Sequence, residues 1–170
     1  MTLRRHAHHG DEPALRFQLR ERLLSVGDDY WIENSEGQRA FKVDGKALRI
    51  RDTWILEDPT GRNVATIKER KLSVRDAIKI EFDGGEAMVK KALVGIRDRF
   101  YVDVDGGDDW KIHGNIVDHE YEIERKGTTV ATVSKKWFRV RDSYGIEVRQ
   151  LADAPLVLAV SVALDAMTHD

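Results

Sequence analysis

The residues able to do chemistry are mostly charged, and they recur in a pattern. Arginine followed by aspartate occurs at Arg51/Asp52, Arg75/Asp76, Arg97/Asp98 and Arg141/Asp142. Such a pair could move a proton. A site normally breaks internal symmetry, however, whereas scaffold chemistry repeats, so these pairs read as corner residues that bond nearby backbone and cross-strand charges. Cations gather beside them: Lys68, Arg70 and Lys71; Lys90 and Lys91; Lys135, Lys136 and Arg139. Clustered Lys and Arg can hold phosphate headgroups or anionic lipid, each near-surface charge contributing about 1 kcal/mol. The plainer reading is a solvated face balanced by Glu69 and neighbouring carboxylates. These eight cations are the candidate ligand-binding residues.

The histidines promise less. His6, His8 and His9 could ligate a metal but sit in a polar stretch ending at Pro13, which reads as disordered. His113 and His119 lack the helical spacing of a zinc pair. The run Asp103-Val104-Asp105-Gly106-Gly107-Asp108-Asp109 resembles a calcium loop, yet the sixth and twelfth positions hold Asp108 and Gly114 where an EF-hand needs Gly and Glu. No GxSxG, Walker loop, dinucleotide fingerprint or HExxH occurs. No catalytic residue, metal or cofactor is therefore expected.

Composition narrows the classes further. The 170 residues are 41% hydrophobic and 34% charged, with net charge −2, a folded composition without the bulk positive charge of a nucleic-acid binder. The absence of cysteine excludes thiol catalysis and disulfide scaffolds. The polar start is not a signal peptide, and no uninterrupted apolar run reaches the length of a membrane span, so a cytoplasmic protein is expected.

The elements that must position these residues are repeats. Val64-Ala65-Thr66-Ile67-Lys68 and Leu72-Ser73-Val74-Arg75-Asp76 return as Val130-Ala131-Thr132-Val133-Ser134 and Phe138-Arg139-Val140-Arg141-Asp142. Anchored on the aspartate, six copies fall at positions 28, 52, 76, 98, 119 and 142, spaced by 24, 24, 22, 21 and 23 residues. His119 replaces the anchor in the most divergent copy, a change that reads as drift. Two residues before the anchor the side chain is always β-branched. Two after it stand Tyr30, Trp54, Ile78, Phe100, Tyr121 and Tyr144, and four after it Ile32, Leu56, Ile80, Val102, Ile123 and Ile146. The fifth position is always acidic: Glu33, Glu57, Glu81, Asp103, Glu124 and Glu147.

This alternation predicts strands, and the Gly-bearing turns that follow predict hairpins. Each unit also holds an earlier strand in the opposite phase, so a corner or bulge must separate the two. Two strands in each of six units give about twelve. A closed barrel of that size needs a plug, since about eight strands already make an interior that side chains fill. Asp153-Ala154-Pro155 reads as a helix start, with Asp153 as N-cap, and Ala154–Leu164 is apolar on every side except for Ser161. That helix, 153–166, is the expected plug. Trp110 and Trp137 lie outside the aromatic column, as exposed contacts or caps of the barrel ends.

The unit Ala131–Asp142, with its Lys135-Lys136-Trp137-Phe138 string, the opening Leu24–Tyr30 and the segment Phe41–Lys46 resemble the LURP-one-related family. That family shares the Tubby C-terminal-like fold with phospholipid scramblases. The resemblance covers about Phe17 to Leu164 and implies twelve strands around a central C-terminal helix. Tubby proteins bind phosphoinositide headgroups, but the family offers no catalytic motif to carry over. The lack of a cysteine run and of an appended membrane tail argues against scramblase activity.

The expectation is thus an all-β closed barrel of about twelve antiparallel strands, residues 16–170, after a disordered tail, 1–15. Its expected function is non-enzymatic binding of anionic phospholipid or phosphoinositide headgroups. Two alternatives stand beside it. One is a protein-interaction or structural scaffold; the other is a small-ligand carrier or enzyme whose barrel is open because the tail helix packs outside.

Overall fold

The structure is a computed structural model. It describes residues 15–20, 29–44, 53–70, 77–94, 97–138 and 142–168, without the side chains of Glu69, Arg70, Leu93, Val94, Arg97 and Asp98. The tail expected to be disordered lies outside these residues, apart from Leu15.

Twelve strands close one ring. They are β1 (Leu15–Arg20), β2 (Tyr30–Asn34), β3 (Arg39–Asp44), β4 (Thr53–Glu57), β5 (Asn63–Arg70) and β6 (Ala77–Phe82). The second half comprises β7 (Gly85–Val94), β8 (Arg97–Val104), β9 (Trp110–Asn115), β10 (Glu120–Arg125), β11 (Thr128–Ser134) and β12 (Ser143–Val148). Every neighbouring pair is antiparallel, and β1 closes the ring between β12 and β2. Closure leaves no strand edge exposed to a second chain.

The sixth repeat is divided between the two ends of the chain. Within each earlier unit the residue four after the anchor faces a fixed position on the returning strand: Leu56 faces Ala65, Ile80 faces Ala87, and Ile123 faces Ala131. In the last unit Ile146 faces Phe17 of β1. The N-terminal strand therefore supplies the return that the sixth unit lacks, because the chain after β12 is needed for the helix.

Hairpins and corners sit at opposite ends. Each even-numbered strand runs from a corner to a hairpin, and each odd one returns. The hairpins use local chemistry. Asn34 Oδ1 accepts from the backbone N–H groups of Glu36 (3.0 Å) and Gln38 (2.9 Å), and Asp58 Oδ1 does the same for Thr60 and Arg62. Lys126 and Gly127, at φ 49° and 75°, form a two-residue turn of the mirror-image type favoured by twisted strands. Register shifts in three hairpins leave Ala40, Val64 and Val130 as bulge residues. The phase change foreseen at the corners is made between β11 and β12 by a 3₁₀ turn, Lys135–Trp137.

The plug is α1 (Ala154–Thr168), which begins at the hairpin end and finishes among the corners. The alternative with this helix outside an open barrel is overturned: Val157 to Leu164 are fully buried within the ring. Ser161 satisfies its hydroxyl on Val157 O one turn back (3.0 Å). Asp153 ends a short 3₁₀ turn, Leu151–Asp153, that runs straight into α1, so the helix starts one residue later than expected. The helical run Leu151–Thr168 is long and apolar enough to cross a membrane, with mean hydropathy 1.6, but 61% of it is buried in the barrel.

The helix lies off-centre, packing most closely on β5 and β6. Its lateral position follows one lumen column. Phe17, Phe41 and Trp110 are bulky there, whereas Ala65, Ala87 and Ala131 are small. Phe17 and Phe41 are in edge-to-face contact at 5.8 Å on the β1–β3 side of the lumen. Trp110 is thus not an exposed contact; it is 3% exposed and belongs to the core.

Candidate functional site

The acidic column faces outwards and has an evident partner. In three successive corner-joined pairs a basic residue reaches across to it: Lys68 to Glu81 (3.0 Å), Lys90 to Asp103 (3.1 Å) and His113 to Glu124 (2.9 Å). Across the closing seam Arg16 takes Glu147 (2.8 Å). Lys68 beside Glu81 holds that carboxyl below its usual range. Two of the eight candidate cations, Lys68 and Lys90, are therefore members of a girdle of ion pairs on the outer wall. Asp103 and Asp108 turn to Lys90 and Lys126 rather than towards each other.

Of the other candidates, three are described at the corner end: Lys91, Lys135 and Lys136. Lys91 follows the inward phase of Ala87 and Val89 on β7 and lies at the barrel mouth. Lys135 and Lys136 are exposed on the 3₁₀ corner, where Ser134 caps the Lys136 N–H (3.1 Å) and Glu120 accepts from the Lys135 N–H (3.1 Å). Arg70 is on β5 without a described side chain, and Lys71 and Arg139 fall outside the described residues. In a ring of twelve, β5 and β11 are opposite each other. Among the described candidates, Lys91 on β7 and the pair Lys135 and Lys136 after β11 sit on different corners of that end.

The Lys-Lys-Trp-Phe string also has a packing role. An added Cβ at Gly145 would stand 2.8–2.9 Å from the rings of Phe138 and Trp137, so only glycine on β12 lets these two rings lie over the outer wall. Arg16 stacks on Trp137 at 4.9 Å.

The unforeseen feature is inside. Asp165, on the last turns of α1, is 4% exposed and accepts from Tyr144 Oη (2.6 Å) and from His119 Nε2 (2.8 Å). His119 is 2% exposed and stacks on Tyr144 with ring centroids 4.1 Å apart. Burial first, and then the Asp165 charge, push the Tyr144 and Tyr121 phenols up. His119 is not drift: it is the residue that fastens the helix end to the β9–β10 corner. His119 at φ 53° and Asp142 at φ 58° both stand in the left-handed region, which short polar residues tolerate better than most.

These features define a class: a closed twelve-strand antiparallel barrel filled by its own C-terminal helix. The family model described as LURP-one-related matches residues 15–165, and the chain belongs to that family. It is similar to the uncharacterized protein YxjI of Bacillus subtilis (strain 168), 23% identical over 154 residues, covering 89% of this chain and 93% of that one. An Arabidopsis thaliana protein solved by X-ray crystallography shares the fold with a TM-score of 0.67 and 16% identity, covering 92% of this chain and 91% of that one.

Proposed function

We propose that this barrel is a cytoplasmic, non-enzymatic binding module that takes anionic phospholipid or phosphoinositide headgroups with the cations of its corner end. Lys91, Lys135 and Lys136 are the central residues; Arg70, Lys71 and Arg139 belong to the same corners by sequence, with Lys68 and Lys90 on the adjoining wall. The observation that carries this reading is the filled lumen. A barrel occupied by its own helix has given up the interior where such folds usually hold a ligand, so binding falls to the outside. Exposed lysines at a rim suit phosphate, and their attraction is additive and salt-sensitive.

The test is co-sedimentation with vesicles of phosphatidylcholine alone, with phosphatidylserine, or with a phosphoinositide. Binding is expected only to the anionic vesicles, weakening as salt rises. Charge reversal at Lys135 and Lys136 should reduce it at least tenfold, the equivalent of about 1.4 kcal/mol. Unchanged binding by that variant, or equal binding to neutral vesicles, would dismiss the proposal.

A further inference from the structure

The outer wall of the barrel is not uniform. From β5 to β10 its charged side chains pair with one another: Lys68 and Lys79 with Glu81, Lys90 with Asp103, and His113 with Glu124. Over β12, β1, β2 and β3 the wall carries arginines stacked on aromatic rings. Arg16 lies over Trp137 (4.9 Å), Arg20 over Tyr30 (5.7 Å) and Arg39 over Trp31 (4.8 Å), with Lys42 on the same indole at 5.9 Å. These four strands are neighbours across the seam that closes the ring. The repeated chemistry of the scaffold thus gives way to a different chemistry on one stretch of wall.

Two of the stacked guanidiniums lack an acid. Among the described residues no carboxylate lies within ion-pair distance of Arg20 or Arg39. Arg39 faces Glu33 across the β2–β3 ladder, yet its guanidinium lies on Trp31. Stacking leaves the N–H groups at the edge of a guanidinium available to a carboxylate in a two-pronged bond. Lys42 and Arg16 are held by Asp29 (3.0 Å) and Glu147 (2.8 Å), and they fix the two indoles in place.

Tryptophan and arginine are the residues on which protein–protein contacts most depend. The closed ring offers no edge for strand addition, so a partner on this wall is gripped by side chains. Two other occupants fit less well. A bilayer anchor must swing its ring away from the wall, and a stacking base needs a free ring face. Arg16 and Arg39 cover faces of Trp137 and Trp31. With strands about 4.8 Å apart, the band from β12 to β3 is about 14 Å wide, or about four residues of extended chain.

We propose that this face binds an acidic, extended segment of a partner protein, its carboxylates on Arg39 and Arg20 and its apolar side chains against Trp31 and Trp137. The surface uses none of the cations assigned to headgroup binding.

The chain has four tryptophans, and two of them, Trp54 and Trp110, lie in the core at 3% exposure. Labelled with 5-fluorotryptophan, the full-length protein gives a fluorine signal for each, assigned with Trp31→Phe and Trp137→Phe. The probe is the peptide most enriched when a random dodecapeptide display library is selected on the protein. Enriched sequences should carry at least two Asp or Glu beside an apolar residue. The peptide should shift Trp31 and Trp137 saturably, more weakly as salt rises, and leave Trp54 and Trp110 in place. Arg39→Gln should weaken binding about tenfold, Arg39→Lys should recover only part of the loss, and Glu33→Gln should tighten it. Reversing Lys135 and Lys136 should lower vesicle binding alone, and Arg39→Gln peptide binding alone, so the two surfaces fail separately. A selection without acidic enrichment, a peptide that leaves Trp31 and Trp137 unmoved, or binding indifferent to Arg39→Gln overturns the proposal. Phosphatidylserine vesicles or oligothymidine moving those two signals where the peptide does not would also overturn it, with a membrane or a nucleic acid as the occupant.

Discussion

Asp165 is a carboxylate inside a hydrophobic core, where an uncompensated charge costs several kcal/mol. Tyr144 meets it from β12 and His119 from the β9–β10 corner, so the three side chains form one unit that holds the helix at a single depth. Removing one member should cost more than the unit is worth. His119→Phe is expected to destabilise by about 3–5 kcal/mol, because it strands the carboxylate. Tyr144→Phe should cost about 1.5–3 kcal/mol, the value of a hydrogen bond to a charge. Replacing His119 and Asp165 together with Phe and Leu should recover most of the loss, and urea melts of the single and double variants measure it. Equal losses in the double and single variants would contradict the unit. On the outer wall, Gly145→Val should push Trp137 and Phe138 off β12 and lower stability by about 1–3 kcal/mol, read by the same melts.

Among the elements, β1 and α1 carry the closure. A chain lacking residues 1–20 leaves β12 and β2 as edges and should associate or lose its cooperative melt, seen by sedimentation and near-ultraviolet dichroism. Most of this architecture was legible in the residues. Lumen positions repeat with period two in every unit, so the columns at Tyr30 to Tyr144 and Ile32 to Ile146 point inwards as their chemistry requires. The remainder was hidden for definite reasons. The return column runs Phe17, Phe41, Ala65, Ala87, Trp110, Ala131, and its sizes vary from strand to strand. No consensus therefore marked Trp110 as core or β1 as the missing return. His119 and Asp165 are 46 residues apart, and only the closed barrel brings them together.

At the scale of the molecule, the barrel is a sheet that solvates its outside with ion pairs and its inside with a helix. Burial in the lumen also governs its response to alkali. Burial pushes the Tyr30 phenol up to about 12, and raises Tyr121 and Tyr144 in the same direction. A phenol raised in the folded state leaves stability intact below the ordinary value near 10. Above it the unfolded chain ionises first, so stability is lost as pH climbs from about 10 towards 12 and beyond. Thermal melts across pH 9–12 should show that decline, with tyrosinate absorbance appearing only together with unfolding for the buried phenols; a flat profile would contradict it. The claim on which the rest depends is that α1 lies within the ring. The chain has no cysteine, so Ala159→Cys places one thiol at the middle of the helix. Under native conditions that thiol should react with a maleimide only as fast as the whole protein unfolds. Labelling at the rate of an exposed thiol, with the β-sheet signal intact, would show the helix outside the barrel.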